Sequence, residues 1–151
     1  MLKTIISDTS CLIILTKIGE LELLKRLYGQ ITTTSDIAAE YGEQLPVWVE
    51  IMNATDKSKQ LLLELQIDKG ESSAIALALE IPDSTIILDD HKARKIANQL
   101  GLTYTGTIGI IVKSKLEGLI PSIKPILAKI MQTDFRLSVE IELEALSQAN
   151  E

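Results

Sequence analysis

One cysteine, one histidine and very few aromatic residues bound this sequence before any motif is read. The lone Cys11 excludes an internal disulfide and suits a reducing compartment, so a cytoplasmic location is expected. It follows a strand-like run among apolar neighbours, so a buried, inert thiol is expected rather than a nucleophile. With one cysteine and one histidine there is no basis for a zinc site of the usual nitrogen and sulfur ligands. Aromatics are 3% of a chain that is 46% hydrophobic, so the core must be Ile, Leu, Val and Ala. No apolar run reaches the roughly 18 residues of a membrane span. Met1-Leu2-Lys3-Thr4 runs straight into a strand pattern, so no signal peptide is expected. The net charge of −6 argues against a broad electrostatic grip on nucleic acid, membrane or anionic substrate. Any nucleic-acid contact would need a local basic patch or a metal bridge.

The 151 residues fit one domain, 1–151, without repeat, low-complexity segment or linker. Residues 3–7 read as a buried strand, and Ser10 can cap a helix through Leu12-Ile13-Ile14-Leu15. Residues 20–28 read as a second helix, ended by Gly29. Gln30 to Thr33 is β-prone, and Ser35 can cap the helix that carries Glu40. Val47-Trp48-Val49-Glu50-Ile51 alternates as an edge strand would. Residues 57–66 read as helix, Asp68-Lys69-Gly70 as a turn, and 71–80 as a deeply packed alanine-rich helix. A strand is expected over 85–89, a helix over 91–100 and a short strand at 103–105. Further helices are expected over 107–117, about 121–132 and about 138–148. Alternating strands and helices predict a parallel sheet covered on both faces. The tail, about 136–151, reads as an amphipathic helix with Ile141, Leu143 and Leu146 turned inward or against a partner.

Four carboxylates carry the functional signal. Asp8 ends the run Thr4-Ile5-Ile6-Ser7, and Asp89 ends Thr85-Ile86-Ile87-Leu88. Glu40 and Glu71 sit in helical segments. In an open α/β sheet, ligands bind beyond the carboxyl ends of the strands. Acids gathered there either take up protons or hold a divalent cation. Structural roles stand beside these: Asp8 as a turn or helix-cap residue, Glu40 as a solvated helix acid, and Glu71 as an anion favoured in a first helical turn. Asp90 can cap the helix from His91. Lys92, Arg94 and Lys95 are the densest basic stretch, either a solvated helix face or phosphate contacts.

Five segments, in order, resemble the PIN-domain nucleases, in particular small prokaryotic toxin-type members. They are Ile6-Ser7-Asp8-Thr9-Ser10, Ser35-Asp36-Ile37-Ala38-Ala39-Glu40, Gly70-Glu71-Ser72-Ser73-Ala74, Ile87-Leu88-Asp89-Asp90-His91 and Thr105-Gly106-Thr107-Ile108-Gly109. The third resembles the Gly-Glu variant of its segment. In many such toxins an Asp stands where this chain has Ser73, two residues beyond Glu71. Whether Glu71 would reach a metal directly or through water therefore stays open.

The resemblance implies a three-layer α/β/α fold with a parallel sheet of four to five strands. It implies hydrolysis of RNA phosphodiesters with magnesium or manganese. Asp8, Glu40, Glu71 and Asp89 would be the catalytic, metal-binding set, with Ser10, Asp90 and Thr105 accessory and Lys92, Arg94 and Lys95 on the RNA. It also implies an antitoxin protein as partner, and a homodimer. Two other readings remain at this point. One is a PIN fold without catalysis, acting through protein or RNA contact, which Ser73 favours. The other is a receiver-like phosphoacceptor, which wants an acid pair at the first strand and finds only Asp8 there.

Overall fold

The computed structural model describes residues 3–151; Met1 and Leu2, where the absence of a signal peptide is partly read, lie outside the described residues. Five strands form one sheet: β1 (Thr4–Ser7), β2 (Ile31–Thr33), β3 (Val49–Ile51), β4 (Ser84–Ile87) and β5 (Thr103–Thr105). Their order is β3-β2-β1-β4-β5 and every pairing is parallel. β1 lies at the centre because Ile5, Ile6 and Ser7 can all be buried, as a strand covered on both faces requires. Ile6 pairs with Thr32 on one side and Ile86 on the other. Val49–Ile51 takes the edge, as expected, but the strand is shorter than 47–51 and does not alternate: Trp48 and Val49 are buried, and Val47, Glu50 and Ile51 are exposed.

The helices among the described residues are α1 (Thr9–Lys17), α2 (Glu22–Tyr28), α3 (Ser35–Tyr41), α4 (Lys57–Leu63), α5 (Lys69–Glu80), α6 (His91–Gln99), α7 (Thr107–Leu116), α8 (Lys124–Met131) and α9 (Val139–Gln148). α3, α4 and α5 pack on one another, and α2, α7 and α9 form a second packed group. The result is the three-layer α/β/α architecture with a parallel sheet. The core is aliphatic, as the scarcity of aromatics demands: Ile6, Leu12, Leu15, Ile75, Ile86 and Leu88 are fully buried. α5 is almost wholly interior, and its run of Ala and Ser lets it lie close to its neighbours. Gly29 ends α2 at φ 77°, a conformation that favours glycine.

Three helix starts differ from the sequence reading. Asp8, not Ser10, caps α1, and Thr34, not Ser35, caps α3. A capping residue needs extended backbone, which Asp8 (ψ 175°) and Thr34 (ψ 164°) have, whereas the two serines are already helical. α5 begins at Lys69, so the expected turn at 68–70 is its first turn.

The tail docks on its own chain. Ala145 and Ala149 are buried, and α9 packs on α7. The Glu151 carboxylate accepts from the Ile123 N–H at 2.8 Å and from the Ser122 hydroxyl. Leu146 packs inward, while Ile141 and Leu143 stay exposed. Among the described residues no helix is long and apolar enough to cross a membrane.

Candidate functional site

The chain winds outward from β1 to β2 and β3, then returns to place β4 and β5 on the other side of β1. The crevice beyond β1 and β4 is therefore the switch point of the sheet, where open α/β folds bind ligands. Ser7 pairs with Ile87, so Asp8 and Asp89 leave adjacent strands side by side. Asp8 bridges them. One carboxylate oxygen accepts from the Cys11 N–H at 2.9 Å and caps α1; the other accepts from the Asp89 N–H at 2.9 Å. The side chain is only 2% exposed. Burial, and then the charge of Asp89, push its carboxyl well above the usual range, with the two backbone N–H groups pulling back and Glu71 adding to the rise.

Glu40 and Glu71 arrive from the adjoining helices α3 and α5. Asp8, Thr9, Ser10, Glu40, Asp68 and Glu71 line one cleft of about 200 Å³. Glu71 is the third residue of α5. Burial and the charges of Asp90 and Asp68 raise its pKa to about 7, while the backbone N–H of Asp68, the residue before the helix, draws it down. Burial also raises Glu40, against the pull of the Thr9 hydroxyl and the Gly70 N–H. A Cβ placed on Gly70 would overlap Oε1 of Glu40 and come within 3.3 Å of Ile37. Only glycine leaves that space, which gives the Gly70-Glu71 pair a steric reason. Ser73 is buried one turn on. Its hydroxyl bonds Thr34, the cap of α3, at 2.6 Å and donates to the Gly70 carbonyl at 2.6 Å. It fastens α3 to α5 rather than facing the cleft.

Asp89 faces another way. One of its oxygens accepts from the Thr107 N–H at 2.8 Å and the other from the Thr107 hydroxyl at 2.6 Å, which ties it to the start of α7. It lines a second cavity, of about 400 Å³, shared with Arg94, Tyr104, Thr105 and residues of the tail. The four acids singled out in the sequence are thus divided: three line the cleft, and Asp89 touches it through Asp8.

The accessory candidates are spread in the same way. Ser10 lines the acid cleft and Thr105 the second cavity. Asp90 caps α6 by accepting from the Ala93 N–H at 2.9 Å. Arg94 lies over the Tyr104 ring at 5.1 Å, and Lys95 lines a shallow depression with His91 and Asn98. Lys92 is exposed and lines none of these. Cys11 is fully buried, and burial pushes its thiol up, in keeping with an inert residue. One contributor escaped the sequence reading, and Thr107 has a different partner from the metal water or phosphate its position suggests. Asp68, read as part of a turn, adds a further acid to the cleft; its spacing of three from Glu71 was the available signal. Thr107 holds Asp89 across 18 residues, and no local pattern encodes that contact.

The cleft donors are all carboxylates and hydroxyls, which suit a hard dication, and burial, followed by the charges of neighbouring acids, raises Asp8, Glu40 and Glu71. Among the described residues no three acids close on a common point as a cage would. An ion that keeps several waters and takes only one or two carboxylates, as magnesium does, fits such a lining.

A family model, DUF3368, described as a PIN domain, matches residues 4–151. No curated protein and no solved structure matches. The acids at the switch point of a parallel three-layer fold and this near-complete match lead to one conclusion: the chain belongs to the PIN-domain family, whose members are in general nucleases.

Proposed function

We propose that this chain is a magnesium- or manganese-dependent endoribonuclease and the toxin half of a toxin–antitoxin pair. One observation carries the reading: Asp8, Glu40 and Glu71 come from three separate elements to one cleft at the switch point, and Asp8 is bonded across it to the Asp89 backbone. When bound, the ion supplies Lewis acidity, acidifying water and offsetting charge on phosphate oxygens. One or two of Asp8, Glu40 and Glu71 would hold it directly and the rest through its waters, with Asp68 beside them and Ser10 orienting water at the rim. Asp89 sets Asp8, since its N–H fixes one Asp8 oxygen, and Thr107 sets Asp89. Arg94 and Lys95 on α6 meet the RNA backbone, with Lys92 further out and Thr105 at the wall beside Asp89. An acidic chain needs such local cations to approach a polyanion.

The toxin assignment rests on the five resembling segments. It brings an antitoxin protein and a homodimer as partners, a reducing cytoplasm as location, and residues 1–151 as one domain. The exposed apolar residues Val139 and Leu143 of α9 offer a surface for either partner.

The deciding experiment is cleavage of a mixed RNA pool by the purified chain, freed of any partner, with manganese and with chelator, beside Asp8→Asn. Cleavage that needs both the ion and Asp8 is expected; cleavage surviving in Asp8→Asn overturns the assignment. The second reading, a non-catalytic PIN module, is favoured by Asp89 being tied to Thr107 through both oxygens and by Ser73 being turned inward. Calorimetry with magnesium separates the two, because a module without catalysis has no need of a competent ion site.

A further inference from the structure

The cavity beside Asp89 is absorbed by none of the roles above. It holds about 400 Å³, within the size range of small-molecule sites, and lies between β5, α7 and the tail. Its contents are particular. The Arg94 guanidinium lies over the Tyr104 ring, 5.1 Å from its centre. Its Nε is out of solvent without a hydrogen-bond partner, and no acid among the described residues forms an ion pair with it. Packing on Tyr104, rather than a carboxylate, holds the side chain in place. Phe135 and Arg136 enter from the segment before α9, and Glu144 and Gln148 from α9 itself. Phe135 is the chain's one phenylalanine, and it is partly buried against the core at this wall.

Flat faces with polar groups at the edges match one ligand chemistry. A nucleobase stacks on aromatic rings or guanidinium planes and hydrogen-bonds through its edges. The Gln148 amide donates to Glu144 at 3.2 Å, and this exposed pair keeps the amide oxygen, a second N–H and a carboxylate oxygen for such an edge, as amide and acid side chains do for adenine and cytosine. Arg136 and the free end of Arg94 suit the phosphate attached to it. Asp89 lines this cavity while its N–H binds Asp8 of the acid cleft. Asp89 thus joins the cavity to the acid cleft through one hydrogen bond.

We infer that this cavity, built on Tyr104, Arg94, Phe135 and Gln148, seats one unpaired base of the RNA strand and sets the base preference next to the cut. The inference rests on the ribonuclease reading, but its test reads binding and not cleavage.

The test is fluorescence anisotropy of the parent chain, in chelator, with labelled hexaribonucleotides of each base and with an abasic hexamer of equal charge. At least one base-bearing hexamer should bind about tenfold tighter than the abasic one, as a stacked base provides. Phe135→Ala and Gln148→Ala should each cut that advantage several-fold and leave abasic binding unchanged. Gln148 is exposed, so its variant remains informative should Phe135→Ala unfold. Equal binding of base-bearing and abasic hexamers, or an advantage untouched in both variants, overturns the inference. Binding of neither hexamer also overturns it. A chain that cleaves RNA without any base advantage refutes this inference alone. A base advantage in a chain that never cleaves supports it and refutes the ribonuclease reading.

Discussion

Oε1 of Glu40 occupies the space where a side chain on residue 70 would begin. The acid of α3 can meet the start of α5 only because Gly70 stands there. Gly70→Ala must push the Glu40 carboxylate aside and press on Ile37, whose Cγ1 would lie 3.3 Å from the new methyl. Alanine also gains up to about 1 kcal/mol of helix propensity over glycine. The two effects on stability oppose each other, so Tm should move by only a few degrees. Cleavage should fall about tenfold or more, with a weaker response to manganese. Full activity in a folded Gly70→Ala protein would remove Glu40 from the ion site.

Thr107 supplies both hydrogen bonds to the Asp89 carboxylate. Thr107→Val keeps the shape and the N–H but deletes the hydroxyl. A hydrogen bond to a charged group contributes about 1.5–3 kcal/mol. At this chain length each kcal/mol is about 2–4 °C. Thermal melting should therefore drop on the order of 5 °C, and cleavage should drop with it as Asp89 loosens beside Asp8. A melting curve equal to that of the parent would mean that the hydroxyl bond is not formed in solution.

Glu71 sets a pH dependence. Its folded pKa, about 7, lies above the ordinary 4.5, so the folded state binds more protons than the unfolded state between those values. Stability of the ion-free protein should be greatest below about pH 4.5 on this account, fall as pH rises toward 7, and then level off. Acid unfolding driven by other groups is superimposed on this trend. Glu71→Gln should flatten the 4.5–7 slope and raise the ion-free Tm at pH 8 by about 3 °C, the effect of about 1 kcal/mol after solvent screening. Manganese should raise the parent's Tm at pH 8 by relieving the same repulsion, and chelator should lower it. Identical parent curves in manganese and in chelator would argue against an ion site.

Asp8→Asn should separate chemistry from folding. The amide oxygen can keep one of the two backbone hydrogen bonds, and the buried negative charge disappears together with its repulsion by Asp89. Tm should change by no more than a few degrees, in either direction. Cleavage should fall by at least about a thousandfold if Asp8 holds the ion. Circular dichroism and a single-turnover assay on one preparation decide this.

Much of the site could be read from local pattern. Asp8 and Asp89 end apolar runs, and runs of that kind become strands whose ends point to one crevice. Glu71 sits where a helix start wants an acid. The helix starts were less legible: Ser10 and Ser35 are good capping residues one or two positions late, and backbone conformation chose Asp8 and Thr34 instead. Ser73 reads in sequence as a lost acid, while in the fold it is a bolt between α3 and α5.

By itself, the sequence determined the layered α/β class, because hydrophobic period and turn residues act over a few positions. It also determined which acids could matter, because strand ends are local features. Tertiary structure alone decided how the acids divide. Asp89 turns to Thr107 and a second cavity, Asp68 joins the cleft, and Gly70 yields its space to Glu40. Each of these depends on side chains meeting across helices and loops far apart in the chain. Such meetings are set by the packing of the whole core and leave no periodic trace in the residues between them.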